Sequence, residues 1–254
     1  MITFSWNPWH GCHPFSVGCK NCFMRRADIR HGRNPEIITR SKTMFDLPIQ
    51  KKRDGSLKVP SGSCLYVCFQ SDFFVEEADE WRNEAWDLIK ERSDVWFLIP
   101  TKRVHRIHQC LPADWNDGWP NVSFALSIEN NQAARERLDQ FLKIPCCHRS
   151  IFAAPLLEEL DLTPWLETGK IELVSVAGES GLKARVCHFN WMEKIFYDCL
   201  KTKTKFTIHQ TGRYFVRNGR CYIIPKKEQF SQAKKAHEWL KKEAGKKNQP
   251  ALFD

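Results

Sequence analysis

Three cysteines, Cys12, Cys19 and Cys22, stand within the stretch WNPWHGCHPFSVGCKNCF, spaced C-x6-C-x2-C. Thiolates are soft metal ligands, and a C-x2-C pair can grip one centre while a flexible loop brings a third sulfur around. Gly11, Pro14 and Gly18 supply that loop, and glycine also allows close approach of backbone. Three readings meet these residues. A structural zinc site wants four ligands; His10 or His13 would complete it, but no second paired motif follows. Ordinary packing would treat the cysteines as small hydrophobes, which crowding in a glycine-containing loop argues against. A [4Fe–4S] cluster held by three thiolates leaves one iron open, and S-adenosylmethionine chelates such an iron through its amino and carboxylate groups. Electron transfer then cleaves the sulfonium reductively, so the cofactor carries the hard step.

The remaining cysteines narrow the setting. The chain has 254 residues and 11 cysteines, an odd number, and it lacks a basic start followed by an apolar run and a small-residue cleavage site. A disulfide framework is therefore not expected, and free or metal-bound thiols in a reducing cytoplasm are. Cys64, Cys68, Cys187 and Cys199 lie in apolar contexts and read as packing residues; Cys146 and Cys147 receive no role. With 42% hydrophobic and 27% charged residues the chain reads as globular. No run approaches the roughly 20 apolar residues of a spanning helix, so no membrane partner is expected. The formal charge of +9 suits a polyanionic partner, nucleic acid first. Neither a Gly-x-Ser-x-Gly elbow nor a P-loop occurs, which disfavours a hydrolase.

Short apolar runs alternate with helical periodicity. ITFSW at the start is followed by CLYVCF (64–69), VWFLI (95–99), NVSFALSI (121–128), RSIFAA (149–154), IELVSVAG (171–178) and KFTIH (205–209). NCFMRRADIRHG, EEADEWRNEAWDLIKER, NQAARERLDQFLK and NWMEKIFYDCLK read as helices between them. Seven such strands imply an α/β fold with a covered parallel sheet, either doubly wound or a full or partial β/α barrel. Polar groups gather just after the strands: Ser71 and Asp72, Lys102 and Arg103, Glu129 and Asn130, Glu179 and Ser180, His209 and Gln210. Active sites of barrels and crevices of open α/β sheets lie at those carboxyl ends. The cysteine loop follows the first strand and belongs to the same end.

Beyond residue 213 the rhythm changes. GRYFVRNGRCYIIPKK carries Asn218–Gly219 between strand-like runs, a hairpin signal. EQFSQAKKAHEWLKKEAGKKN reads as a basic helix with Phe230, Ala233, Ala236, Trp239 and Leu240 available to pack; its lysines could touch phosphates, though a solvated face is the favoured reading, and the last residues read as frayed. The expected organisation is a body over 1–213 and a hairpin-plus-helix extension over 214–254.

The sequence resembles the phage-associated family of three-cysteine, radical-SAM-like proteins of unknown function. The likeness covers most of residues 5–213 and rests on WNPWHGC with GCKNCF, SDFF, PTKR, SFALSIEN, APLL, AGESGLKAR and HQTG. Ala154, Ala177 and His209 depart from the family pattern, which expects a glutamate, a glycine and commonly a lysine there. The resemblance implies a partial β/α barrel, similar to a TIM barrel, with Cys12, Cys19 and Cys22 as cluster ligands. It also implies S-adenosylmethionine bound across strand ends, Ser71 or Asp72 receiving its ammonium and Ser127, Glu129 and Asn130 bonding ribose hydroxyls. The Gly178–Ser180 stretch would approach adenine or substrate, with Glu179 as anchor. Glu179, Lys102 and His209 are the catalytic candidates, and Lys102, Arg103 and Arg185 suit an anionic substrate of the nucleic acid or nucleotide class. An external electron donor follows from such chemistry. The competing expectation is a metal-stabilised nucleic-acid-binding module without catalysis.

Overall fold

The computed structural model describes residues 1–247; the end expected to fray, 248–254, lies outside the described residues. The strands in chain order are β1 (Thr3–Trp6), β2 (Trp9–His10), β3 (Thr39–Arg40), β4 (Cys64–Val67), β5 (Trp96–Thr101), β6 (Val122–Ile128), β7 (His148–Ala153), β8 (Leu173–Ala177), β9 (Cys187–His188), β10 (Lys205–Gln210), β11 (Tyr214–Arg217) and β12 (Arg220–Ile223). The helices are α1 (Phe23–Arg30), α2 (Asp79–Glu91), α3 (Val104–Ile107), α4 (Asn131–Phe141), α5 (Thr163–Leu166), α6 (Phe189–Lys201) and α7 (Gln229–Lys247).

The fold is mixed α/β, and its seven-stranded sheet runs in the order β1-β4-β5-β6-β7-β8-β10. That order never reverses, whereas a doubly wound sheet must reverse at its switch point. A singly wound succession is the topology of a partial β/α barrel.

The chain forms two compact units, 1–127 with 136–150 and 128–135 with 151–254. In the first, β1 pairs in parallel with β4, β4 with β5 and β5 with β6. Every residue of β6 is buried, as the unbroken apolar run of a central parallel strand requires. α2 buries Ala85, Trp86, Leu88 and Ile89 and carries Asp79 and Glu80 in its first turn and Lys90 in its last, a charge order that complements the helix dipole. Its core is aromatic: Phe73 packs edge-on to Trp86 at 4.8 Å, and the buried Trp9 indole donates to the Asp72 carbonyl at 3.1 Å.

In the second unit β8 and β10 pair in parallel until the register shifts between Ile208 and Gln210, so His209 is the extra residue of a bulge. The predicted hairpin forms as β11–β12, with both Asn218 and Gly219 at positive φ as a type I′ turn demands. β9, too short for periodicity to reveal, joins β11 in parallel. α7 buries Ala233, Ala236, Leu240 and Ala244. Of the two aromatics expected to pack from α7, Trp239 meets Phe189, while Phe230 is 53% exposed. Among the described residues no helix is long and apolar enough to cross a membrane.

Candidate functional site

The cysteine loop leaves the carboxyl end of β1 and is fixed by backbone contacts. Gly11 has φ +95, and a Cβ there would sit 2.4 Å from the Ile37 carbonyl oxygen, so only glycine fits. Cys12 N–H donates to Pro35 O at 2.8 Å, and the Ser71 hydroxyl donates to Gly11 O. Ser71 thus pins the loop. Cys19 closes a short 3-10 turn, its carbonyl accepts Cys22 N–H at 3.2 Å, and Cys22 is the N-cap residue of α1. All three thiols are free and half-buried.

Two of the sulfurs already receive N–H donors. Arg103 Nη1 points at Cys12 Sγ from 3.6 Å and Phe15 N–H at Cys19 Sγ from 3.4 Å. The Cys12 thiol is pushed up to about 12 by burial first and by the Asp72 charge second, with Arg103 partly offsetting them. Cys19 is close enough to Cys12 to add to the rise.

Arg103 belongs to a buried hub centred on Asp72. One carboxylate oxygen accepts Phe74 N–H at 3.0 Å and the Thr101 hydroxyl at 2.8 Å; the other accepts Lys102 N–H at 3.2 Å and Arg103 Nη1 at 3.1 Å. Four donors fill a carboxylate's capacity, so Asp72 has no oxygen left for a ligand's ammonium. The sequence linked Asp72 and Arg103 to different ligands, and the fold binds them to each other. Lys102 gives only its backbone N–H to the hub; its half-buried ammonium makes no ion pair among the described residues.

Further side chains crowd the loop. The Phe15 ring stacks on His105 at 5.7 Å, with the Arg103 and Arg137 guanidinium carbons 5.4 and 5.1 Å from its centroid. His13 meets Glu77 at 2.5 Å, and His10 lies between Asp28 at 2.7 Å and Gln70 at 3.3 Å. Asp28 is buried. Burial would raise its pKa, but the bonds from Arg33 and His10 outweigh that and lower it. Asp28, Glu77, Arg137 and Phe15 were not singled out from the sequence: each is a lone residue whose partner lies far along the chain, and no spacing signals that.

The second unit holds the other strand-end residues. Glu179 is buried and takes a forked contact from Arg185, with Nε at 3.1 Å on one oxygen, Nη2 at 2.5 Å on the other, and the Arg185 N–H at 2.8 Å. Glu179 is therefore an anchor for Arg185. A Cβ on Gly178 would lie 2.4 Å from Thr211 O, and one on Gly212 would lie 2.9 Å from Gly178 Cα. The glycine stretch thus receives the backbone of Thr211–Gly212, and Gln210 Nε2 seals the contact on Gly178 O at 2.8 Å. Ser180 is half-buried. The His209 ring lies edge-on to Phe230 at 5.1 Å, and desolvation lowers its pKa. Asn130 Oδ1 accepts Ala133 N–H at 2.8 Å, which makes it the N-cap of α4. Glu129 is buried and its carbonyl accepts Leu157 N–H. In the first unit the buried Ser127 gives its carbonyl to Arg137 at 3.0 Å.

Among the described residues no group of three or more His, Cys, Asp or Glu side chains is gathered to hold a metal ion. The loop's donor set is three free thiols, two of whose sulfurs accept N–H bonds, with the buried Arg103 guanidinium beside Cys12. Hydrogen bonds to sulfur and local charge are among the levers that tune iron–sulfur clusters.

A family model described as "Protein of unknown function (DUF5131)" matches residues 2–254. No curated protein and no solved structure matches the chain.

Proposed function

The chain belongs to the DUF5131 family, and on that premise we propose that it is an iron–sulfur enzyme of the radical-SAM-like kind. Cys12, Cys19 and Cys22 would hold a [4Fe–4S] cluster. When bound, that cluster supplies an open iron for S-adenosylmethionine and the electron, drawn from an external donor, that cleaves it reductively.

The observation that carries the reading is the Arg103 bridge. One guanidinium reaches Cys12 Sγ, the His13 carbonyl and the buried Asp72 carboxylate at once. A cationic donor held against a ligating sulfur stabilises negative charge there, and Asp72 fixes the donor's position. The loop backbone is pinned at Gly11 and Cys12, so gathering the sulfurs falls to the side chains. Asp72 and Ser71 are positioning residues in this scheme. Lys102, with its uncommitted ammonium beside the hub, is the group of this unit that would meet an anionic substrate.

Anaerobic purification tests the proposal. The expected product is a brown protein with about four iron atoms per chain that yields 5′-deoxyadenosine from S-adenosylmethionine and dithionite, while Cys22→Ala yields none. A colourless protein holding one tight zinc would overturn it and favour the metal-stabilised binding module.

A further inference from the structure

The net charge is not shared along the chain. Residues 1–200 carry 25 Lys and Arg against 26 Asp and Glu, while residues 201–254 carry 14 against 4. The whole basic excess therefore falls on the segment that forms the end of the second unit. A surface that needs only solubility is served by interspersed signs. On α7 and the turn before it, Lys241 and Lys246 pair with Glu238 and Glu243. Lys226, Lys227, Lys234, Lys235 and Lys242 are exposed and make no ion pair among the described residues.

Aromatic rings lie within the same segment. All four residues of β12 are exposed, and β12 is the edge of its sheet. Arg220 and Tyr222, two apart on one face of that strand, place guanidinium over ring at 5.2 Å, and Tyr222 stays 42% exposed. Arg213 lies 5.5 Å from the Tyr214 ring, its Nε buried with no hydrogen-bond partner among the described residues. Arg217 sits over both Trp239, at 4.2 Å, and Phe189, at 4.8 Å, which joins the hairpin to α7.

We propose that the β11–β12 hairpin and α7 form a binding surface for single-stranded nucleic acid. Unpaired lysines meet a polyanionic backbone, and the ring of Tyr222 beside a guanidinium offers a face on which an unpaired base stacks. A duplex presents no free base face to such a ring. The inference does not rest on the cysteine loop, and it holds whether or not that loop carries a cluster.

Fluorescence anisotropy of the full chain with a labelled single-stranded oligonucleotide tests it. The competitors are the matching duplex and vesicles of an anionic lipid. Single strands should bind more tightly than duplex. If about five lysines engage phosphates, log K should fall with log salt at a slope near −3.5, roughly 100-fold between about 50 and about 200 mM. Tyr222→Ala should weaken binding about tenfold, and Lys235→Glu with Lys242→Glu should lower the salt slope by about 1.4. These side chains are exposed, so the variants should melt like the parent. Equal affinity for duplex, an unchanged Tyr222→Ala variant, or binding to vesicles alone would overturn the proposal.

Discussion

Replacing Asp72 by Asn removes one negative charge from a site closed on every side. The Asn carbonyl can still accept from Phe74 N–H and the Thr101 hydroxyl, but its amide then faces Lys102 N–H and Arg103 Nη1, two donors against a donor. Arg103 is 8% exposed and would keep its charge without its carboxylate partner. Breaking a buried pair from one side costs about 3–5 kcal/mol, which at about 2–4 °C per kcal/mol for a chain of this size lowers Tm by roughly 6–20 °C. Thr101→Val provides a calibration. It removes one donor to Asp72 and the acceptor of the Arg103 N–H at 2.9 Å, a loss of about 1–3 kcal/mol. Thermal unfolding of the metal-free protein gives the order, and the labelling rate of the Cys12 thiol should rise in Asp72→Asn, because the carboxylate charge that disfavours its thiolate is gone. An Asp72→Asn protein within about 1 kcal/mol of the parent, or less affected than Thr101→Val, would refute the idea that this carboxylate is the hub of the loop.

Three further outcomes follow from single contacts. Gly11→Ala puts a Cβ 2.4 Å from Ile37 O at φ +95 and should cost at least about 2 kcal/mol in a thermal melt; a parental Tm would contradict it. Asn130→Ala removes the α4 cap and should cost about 1 kcal/mol in urea unfolding, and no change would mean the cap is idle. The Asp94 carboxyl is held well below its usual range, chiefly by hydrogen bonding to Arg92, so its stabilisation is present above about pH 4 and fades as pH falls through the folded pKa. Asp94→Asn should therefore melt below the parent at pH 7, by no more than about 1 kcal/mol for a part-exposed pair. That gap should narrow below about pH 4, and one that stays constant to pH 3 would count against the ion pair.

The elements were legible because their signals are local. β6 is buried throughout, so its run is mostly apolar; α2 and α6 each bury one face within their own unit, so their apolar residues recur at helical spacing. The Asn218–Gly219 hairpin declares itself through the only backbone geometry its turn accepts. Strand order was not legible, because a doubly wound sheet and a barrel share the same alternation, and only the pairing of β1 with β4 and onward without reversal separates them.

At the site, spacing in the sequence determined which side chains could ligate a metal: three cysteines on one loop after the first strand. Tertiary structure alone decided what surrounds them. Asp72 and Arg103 are 31 residues apart, and nothing in either neighbourhood says that each will satisfy the other. Gly178 invited a ligand on paper and received the Thr211–Gly212 backbone instead. Local patterns report what a residue can do; which partner it meets depends on burial, where lone pairs and N–H bonds already taken by neighbours are closed to a ligand.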